Sequence, residues 1–505
     1  MSSSLPHAFP DARAASGVPG LDQVLQGGFP ANRLYLVQGV PGTGKTTLAM
    51  QFLMEGARRG EPVLYISLSE TREEIEVVAA SHGWDLTGIS LFEMTAAEEK
   101  LRAETETSFF HPSEVELNRT TETLLAEVER IHPARVVFDS LSELRLLADT
   151  ALRYRRQVLR LKQYFSDKKT TVLLLDDFSG NDSDQQVHSI AHGVLTLQRS
   201  NPDYGAARRK LTVEKLRGSH FSEGQHDFVL RRGGMKIFAR LISEDHDAET
   251  TMERVTTGNV SLDALLGGGL DRGTSTMFLG PPGTGKSTLA VGLAIAAAER
   301  GERSLLLLFD ENPLTLHERT RQLQMNLSAH CASGLVTVRS IDPAAVSPGE
   351  VTAFIMRAVM EDGVRVVTID SINGYVNSMP EARLLNLQLH ELLSFLARKG
   401  VLTILVLSQQ GMMGQMQTNV DLSYLADTVI LSRFFEARGA MKLALAVVKK
   451  RSGDHERTIR DYKFGQGGLE MGEPLTQMQG VFTGVPTFVS SPHADLFEGQ
   501  PRQEK

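Results

Sequence analysis

The sequence predicts an α/β protein with two tandem domains, each a mostly parallel sheet flanked by helices. Short apolar runs that suit buried strands alternate with segments that suit helices along most of the chain. A glycine-rich loop occurs once in each half, directly after one such strand and at the start of a helix. Landmarks of the first half recur in the second at a nearly constant spacing, which indicates a duplication.

The predicted elements follow one another in the same order in both halves. The run RLYLVQ at 33–38 is apolar and β-rich and leads into the first loop, and the helix after this loop ends before Gly60. The first half has strands Arg33–Gln38, Pro62–Leu68, Arg135–Phe138 and Thr171–Leu175, and helices Lys45–Arg59, Thr71–His82 and Tyr154–Asp167. The second half has strands Thr276–Leu279, Ser304–Phe309, Arg365–Ile369 and Leu402–Leu407, and helices Lys286–Arg300 and Leu384–Lys399.

Paired landmarks define the repeat. The pairs that lie 241 residues apart are Gly17 with Gly258, Lys45 with Lys286 and Glu70 with Glu311. Asp139 and Asp370 lie 231 apart, so the first half carries about ten extra residues, which we place around Ala96–Glu114. The expected layout is a first domain at 1–242, an acidic linker at 243–250, a second domain at 251–488 and a disordered tail at 489–505.

Composition narrows the class of protein. The 505 residues carry a net charge of −8 with a pI of about 6.0, so bulk attraction to nucleic acid is not expected. The single cysteine, Cys331, excludes an intrachain disulfide and suits a reducing cytoplasm. We find neither a signal-peptide pattern nor an apolar run long enough to cross a membrane.

The two loops predict two nucleotide sites. Residues 39–46 read GVPGTGKT and residues 280–287 read GPPGTGKS, a pattern whose backbone N–H groups surround phosphate oxygens. The lysine reaches the outer phosphates and the hydroxyl binds Mg²⁺, so ATP or GTP with Mg²⁺ is the expected ligand. The predicted contacts are Gly39, Gly42, Thr43, Gly44, Lys45, Thr46 and Thr47 in the first loop, and Gly280, Gly283, Thr284, Gly285, Lys286, Ser287 and Thr288 in the second.

An aspartate ends an apolar strand in each half. Asp139 stands in FDSL and Asp370 in IDSI. A carboxylate at this edge, one strand over from the loop, can hold the Mg²⁺ water shell together with Thr46 or Ser287. The alternative is a plain polar strand end, and the repetition favours the metal role.

Acidic residues follow the strand after each loop helix. Glu70 in the first half, and Asp310 and Glu311 in the second, are candidates to orient or deprotonate the nucleophile. The alternative is that these residues cap the next helix.

Basic residues recur late in each half. Lys215 with Arg217, and Lys449 with Arg451, are two apart on strand-like runs and therefore point to one face. They suit a clamp on the transferring phosphate of a neighbouring subunit. A solvated edge strand is the alternative.

The chain resembles the KaiC family of tandem RecA-like P-loop NTPases from the cyanobacterial clock and related bacterial proteins. The resemblance covers nearly all of residues 15–485 and rests on the paired loops and four further motifs. These are the lead-ins SGVPGLD and TGNVSLD, SHGWDL at 81–86, KLRGSH at 215–220 and ADTVIL at 426–431.

This resemblance implies a homohexamer of two stacked rings with ATP at subunit interfaces. The basic pairs would then reach the neighbour's nucleotide. The first ring would be mainly an ATPase and the second a serine/threonine autokinase. The resemblance also implies a KaiB-like or signalling protein as a partner.

The phosphoacceptor positions of the family fall on 418–427. Ser423 matches the acceptor serine and Thr418 a regulatory threonine, whereas Tyr424 replaces the acceptor threonine. The paired catalytic glutamates of the family become Ser69-Glu70 and Asp310-Glu311.

Three functions follow as hypotheses. The first is an ATP-driven autokinase that acts as a signalling switch. The second is an ATPase scaffold without kinase activity. The third, a DNA-dependent ATPase, is disfavoured by the acidic balance of the chain.

Overall fold

The computed structural model describes residues 12–94, 112–148, 150–177, 187–202, 204–241, 253–377, 382–409, 411, 422–483 and 486–488. The chain divides into two compact units, Met1–Arg240 and Leu241–Lys505. The expected linker at 243–250, the expected tail at 489–505 and most of Ala96–Glu114 lie outside the described residues. The finer domain limits therefore stay predictions.

The first unit alternates strands and helices and then ends in a run of strands. Its strands are β1 Arg13–Ala14, β2 Phe29–Pro30, β3 Leu34–Gly39, β4 Val63–Ser67, β5 Ile89–Glu93, β6 Arg135–Asp139, β7 Thr171–Asp177, β8 Gly193–Ser200, β9 Arg208–Leu216, β10 Gln225–Arg231 and β11 Gly234–Phe238. Its helices are α1 Leu21–Val24, α2 Lys45–Arg58, α3 Arg72–His82, α4 Pro112–Ile131, α5 Leu141–Leu147 and α6 Ala151–Asp167.

The second unit repeats this succession. Its strands are β12 Arg254–Val255, β13 Leu270–Asp271, β14 Ser275–Gly280, β15 Arg303–Leu308, β16 Val336–Ser340, β17 Val364–Asp370, β18 Leu402–Ser408, β19 Thr428–Ala437, β20 Ala440–Lys450, β21 Arg460–Gly465, β22 Gly468–Pro474, β23 Met478–Gln479 and β24 Thr487–Phe488. Its helices are α7 Val260–Leu265, α8 Lys286–Glu299, α9 Pro313–Gln322, α10 Leu327–Ala332, α11 Pro348–Met360, α12 Ile372–Asn377 and α13 Ala382–Arg398, with a 3₁₀ turn at Val481–Thr483.

Each unit is built on one nine-stranded sheet, and the two sheets have the same strand order. The first runs β11-β10-β9-β8-β3-β7-β6-β4-β5, and the second runs β22-β21-β20-β19-β14-β18-β17-β15-β16. The strands from β8 to β5 pair in parallel, whereas β9, β10 and β11 add an antiparallel edge. The predicted fold class is confirmed, and the chain consists of two tandem RecA-like units.

The loop strand is buried on both faces, which explains its continuous apolar run. In β3, Tyr35 and Val37 pack into one apolar cluster with helix α2. Leu34 and Leu36 pack into a second cluster on the other face with helix α6. Alternate side chains of a strand point to opposite faces, so one strand supplies both cores. Burying one such side chain stabilises the fold by about 1.5–3 kcal/mol.

No helix in the part of the chain that the structure describes is both long enough and apolar enough to span a bilayer.

Candidate functional site: two nucleotide-binding loops

Each loop enters its helix through a glycine in the left-handed region. Gly44 has φ 104° and precedes α2, and Gly285 has φ 80° and precedes α8. Glycine reaches this region without the steric cost that a Cβ would impose. The unpaired N–H groups of the helix start therefore open towards the loop, where an anion is favoured.

Close packing around the second loop leaves no room for side chains at two of its glycines, Gly280 and Gly285. A Cβ on Gly280 would lie 2.3 Å from the carbonyl oxygen of Ser432. A Cβ on Gly285 would lie 2.0 Å from the ring of Phe464. The loop therefore presents backbone where a phosphate would lie, as the motif requires.

The loop lysines are buried and fold back over their own loops. Lys45 Nζ donates to the carbonyl of Gly39 at 2.8 Å, and Lys286 Nζ donates to the carbonyl of Pro281 at 2.7 Å. Both residues are less than a tenth exposed. Burial lowers the pKa of Lys286 to about 8.

The other predicted loop contacts support the loop from within. Gly42 and Gly283 have φ 78° and 87°. The hydroxyl of Thr43 donates to the carbonyl of Val40, and that of Thr284 donates to the carbonyl of Pro281. Thr47 and Thr288 are buried in the first turn of their helices.

A hydroxyl and a carboxylate meet beside each loop. Thr46 Oγ1 donates to Asp139 Oδ2 at 2.9 Å, and the Ser287 hydroxyl bonds to Asp370. The prediction that the carboxylate lies one strand from the loop strand is wrong, because β7 or β18 lies between. The aspartate still reaches the loop because parallel strands end at the same edge of the sheet.

These buried carboxylates differ between the units. Burial raises the pKa of Asp370 to about 6 and also raises the pKa of Asp139. Asp139 additionally accepts a hydrogen bond from the Tyr65 hydroxyl at 2.5 Å. The position that matches Tyr65 in the second unit is Leu306, which carries no donor.

This donor set fits Mg²⁺. Hydroxyl and carboxylate oxygens are the ligands this ion prefers, and it commonly takes one or two protein ligands together with phosphate oxygens. No cluster of three or more His, Cys, Asp or Glu side chains suited to a metal occurs among the described residues. Thr46 with Asp139, and Ser287 with Asp370, would hold the ion together with a nucleotide.

Glu70 lies at the edge of the first site. Its Oε2 atom is buried and has no hydrogen-bond partner among the residues that the structure describes. Burial raises the pKa of Glu70, and the nearby Asp139 and Glu74 carboxylates add to that rise. Helix α3 is capped by Thr71, which forms a reciprocal capping box with Glu74. Glu70 is thus not the capping residue, so the alternative that it caps the next helix is wrong.

The two acids of the second site are both engaged. Glu311 forms a two-pronged ion pair with Arg319, at 2.5 and 3.0 Å. Asp310 accepts a hydrogen bond from the Ser371 hydroxyl. The cap of α9 is Asn312, so neither acid caps the helix. Asp310 remains the acid without a cationic partner among the described ion pairs.

These groups face a common cavity of about 500 Å³ beside the second loop. The residues that carry its chemistry are Lys286, Ser287, Asp310, Glu311, Arg319 and Asp370. The loop, the hydroxyl–carboxylate pair and both acids of the second unit therefore lie together at one cavity.

The basic pair of the first unit does not face the first loop. Lys215 and Arg217 donate to the carbonyls of His188 and Ser189, and the second of these bonds measures 2.7 Å. Those carbonyls belong to the helical turn at 187–190, before β8 begins. Because β8 runs parallel to β3, this turn lies at the edge of the sheet opposite the loop.

The second basic pair makes the corresponding contacts. Lys449 Nζ donates to the carbonyls of Ser423 and Ala426 at 2.9 and 2.6 Å. Arg451 donates to the carbonyl of Tyr424 at 2.8 Å and pairs with Asp427 at 3.4 Å. In each unit, the lysine and the arginine thus donate to carbonyls of the same turn, which lies at the sheet edge opposite the loop of that unit.

One phosphoacceptor candidate, Ser423, lies on this turn. Ser423 is half-buried and Tyr424 is 51% exposed. The same carbonyl contacts in the first unit involve His188 and Ser189, so a histidine stands where the second unit has Ser423. Thr418 lies outside the described residues.

Three residues of the sites were missed from the sequence. Tyr65 and Arg319 lie in the middle of a strand and a helix, and no local signal marks them as partners of the acids. Asp177 ends β7 directly beside the first loop, where it pairs with Lys45 at 2.8 Å. Its place after an apolar strand was a usable signal, of the same kind as that of Asp139.

A family model described as "ATPase: KaiC" matches residues 14–242 and again residues 255–476. The chain belongs to the KaiC ATPase family. Both matched ranges include a loop, its hydroxyl–carboxylate pair and a basic pair. The KaiC repeat therefore accounts for the duplication in this sequence.

Curated relatives match along nearly the whole chain. The circadian clock oscillator protein KaiC of Parathermosynechococcus lividus is 25% identical over 485 residues, covering 94% of this chain and 88% of that protein. The protein of the same name from Synechococcus elongatus is 25% identical, covering 95% and 92%. The circadian clock protein KaiC2 of a Synechocystis strain is 26% identical, covering 94% and 84%.

Proposed function

We propose that this KaiC-family ATPase binds ATP with Mg²⁺ at both loops and phosphorylates its own chain at the second. The observation that carries the proposal is the division of each unit between two sheet edges. The loop, hydroxyl and carboxylate occupy one edge, and the lysine–arginine pair occupies the other. A pair so placed lies away from the loop of its own unit, so we expect it to act on the nucleotide of another copy.

A homohexamer with ATP at subunit interfaces would bring these edges together. Lys215 and Arg217 of one copy would then stabilise charge on phosphates at the first loop of the next. Lys449 and Arg451 would do the same at the second loop. When bound, Mg²⁺–ATP supplies the phosphoryl group and screens its charge.

In the first unit Glu70 is our candidate general base. Its raised pKa and partnerless buried oxygen suit a carboxylate that accepts a proton from water. Lys45 would bind the outer phosphates, and Thr46 with Asp139 would hold the metal. Glu70→Gln keeps the shape but removes the base, so we expect turnover at the first site to fall by about 10²–10⁴.

In the second unit Asp310 is our candidate base for a serine hydroxyl. Glu311 is held by Arg319, whereas Asp310 accepts only the Ser371 hydroxyl in the described contacts. Ser423 is the preferred acceptor, because its turn is held by the same pair that would reach a neighbour's second loop. The first unit has His188 there, which suits hydrolysis without self-phosphorylation.

Phosphopeptide mapping tests the kinase directly. After incubation with ATP and Mg²⁺ we expect phosphate on Ser423 and none in the Ser423→Ala variant. Phosphate on Thr418 or Tyr424 alone would relocate the acceptor. Hydrolysis with an unmodified chain would instead establish the ATPase scaffold and refute the kinase.

Loop variants test the division of labour. Lys45→Ala is expected to reduce nucleotide-dependent hexamer assembly, followed by mass photometry with and without ATP. Lys286→Ala is expected to abolish phosphorylation and leave turnover at the first loop. Equal loss of both activities from either change contradicts separate roles.

Phosphorylation or ATP state would make the assembly a cytoplasmic signalling switch for a partner protein. The named relatives are circadian clock proteins, which supports a regulatory role. A KaiB-like partner belongs to this proposal. Nucleic acid does not, because the chain is acidic overall.

A further inference from the structure

The lysine of the first loop is fully engaged inside its own unit. Lys45 Nζ donates to the carbonyls of Gly39 and Val40 at 2.8 and 3.4 Å. It also donates to Asp177 Oδ1 at 2.8 Å, in an ion pair. An ammonium group has three donors, so every donor of Lys45 has an acceptor here.

The second loop lacks the acidic partner. Gly39 is paired in register with Asp177, and the matching pair in the second sheet is Gly280 with Ser408. Lys286 donates to a carbonyl of its own loop, and no carboxylate lies within ion-pair distance of it among the described residues, in contrast to Lys45. The two sites therefore differ by one carboxylate at the same position.

The Asp177 side chain is exposed enough to move away from Lys45 into solvent. Its side chain is 47% exposed, whereas that of Lys45 is 9% exposed. Water can therefore solvate the carboxylate once the pair opens. Its neighbour Asp176 is held differently, since Arg145 pairs with it and the Ser142 hydroxyl donates to it at 3.1 Å.

We infer that Asp177 sets the nucleotide affinity of the first site by competing with the outer phosphates for Lys45. The inference rests on the proposed function, in which both loops bind nucleotide. A phosphate and the Asp177 carboxylate are both anions and both bind the same ammonium group. Nucleotide must therefore displace Asp177 from Lys45 at the first loop, and it meets no such competitor at the second.

The test replaces Asp177 with serine, the residue that the second unit has at the matching position, Ser408. Asp177→Ser is made in full-length chain that also carries Lys286→Ala, so that calorimetric titration with Mg²⁺ and a non-hydrolysable ATP analogue reports on the first loop. We expect affinity to rise about fivefold, the scale of a half-exposed ion pair. Asp167→Ser is the matched control, since it removes the same charge at the far end of α6.

The reciprocal change tests the same idea at the other loop. Ser408→Asp, in a chain carrying Lys45→Ala, is expected to weaken analogue binding at the second loop by about fivefold or more. Higher salt is expected to narrow the difference in first-loop affinity between the chain that keeps Asp177 and the Asp177→Ser variant, because salt screens the ion pair.

The possible outcomes distinguish a failure of the Asp177 competition from a failure of nucleotide binding at the first loop. Binding at the first loop with less than about a twofold gain from Asp177→Ser, or an equal gain from Asp167→Ser, overturns the competition and leaves nucleotide binding intact. If neither chain binds the analogue at the first loop, both the inference and the first nucleotide site are refuted.

Discussion

Replacing Asp370 with asparagine is expected to stabilise the second unit while abolishing the Mg²⁺-dependent chemistry that we propose for it. Asp370 is 9% exposed, and burial raises its pKa from 3.8 to about 6. A raised folded-state pKa means that folding favours the neutral acid. The stability this group contributes is present below its unfolded pKa and is lost as the pH rises through about 6.

The size of the effect follows from that shift. A shift of about 2.2 pKa units corresponds to about 3 kcal/mol. At pH 8 the wild-type protein carries this full penalty, and asparagine removes it. At about pH 4.5 the folded carboxyl is already protonated, so the advantage of asparagine falls to about 1 kcal/mol.

Thermal unfolding in EDTA without nucleotide measures this prediction. For a unit of this size, about 3 kcal/mol corresponds to roughly 6–12 °C in Tm at pH 8, and the gap is expected to narrow at about pH 4.5. Asp362→Asn is the control, since that exposed aspartate lies in the same unit. A gain that is absent at pH 8, or equal at both pH values, refutes the reasoning.

Three further predictions address the loops. Gly285→Ala is expected to lower the free energy of unfolding by more than about 2 kcal/mol in thermal unfolding, because its Cβ would lie 2.0 Å from the ring of Phe464. The control is Gly301→Ala, which has a similar φ of 81° but no atom within 4 Å of its Cβ, and it is expected to cost about 1 kcal/mol. Nucleotide affinity at the second loop is expected to fall as the pH rises above about 8, where Lys286 becomes neutral, and pH-independent calorimetric affinity contradicts this. Tyr65→Phe removes the donor to Asp139 and is expected to cost about 1–3 kcal/mol in urea unfolding; an unchanged midpoint contradicts it.

The sequence by itself determined the duplication, the fold class and the composition of the two loops. These depend on short-range patterns: apolar runs for buried strands, glycines for positive φ, and a lysine and hydroxyl at fixed spacing. The observed strands and helices begin and end within a few residues of the predicted ones. Helix α6, for example, begins at Ala151 rather than Tyr154.

Tertiary structure decided which of these residues meet. Strand order placed Asp139 two strands from the loop strand, and it placed Asp177 beside Lys45. It also decided that Glu311 is neutralised by Arg319 while Asp310 is not. The physical reason is that such pairings depend on sheet order and register, which bring together residues far apart in the chain and leave no local pattern in the sequence.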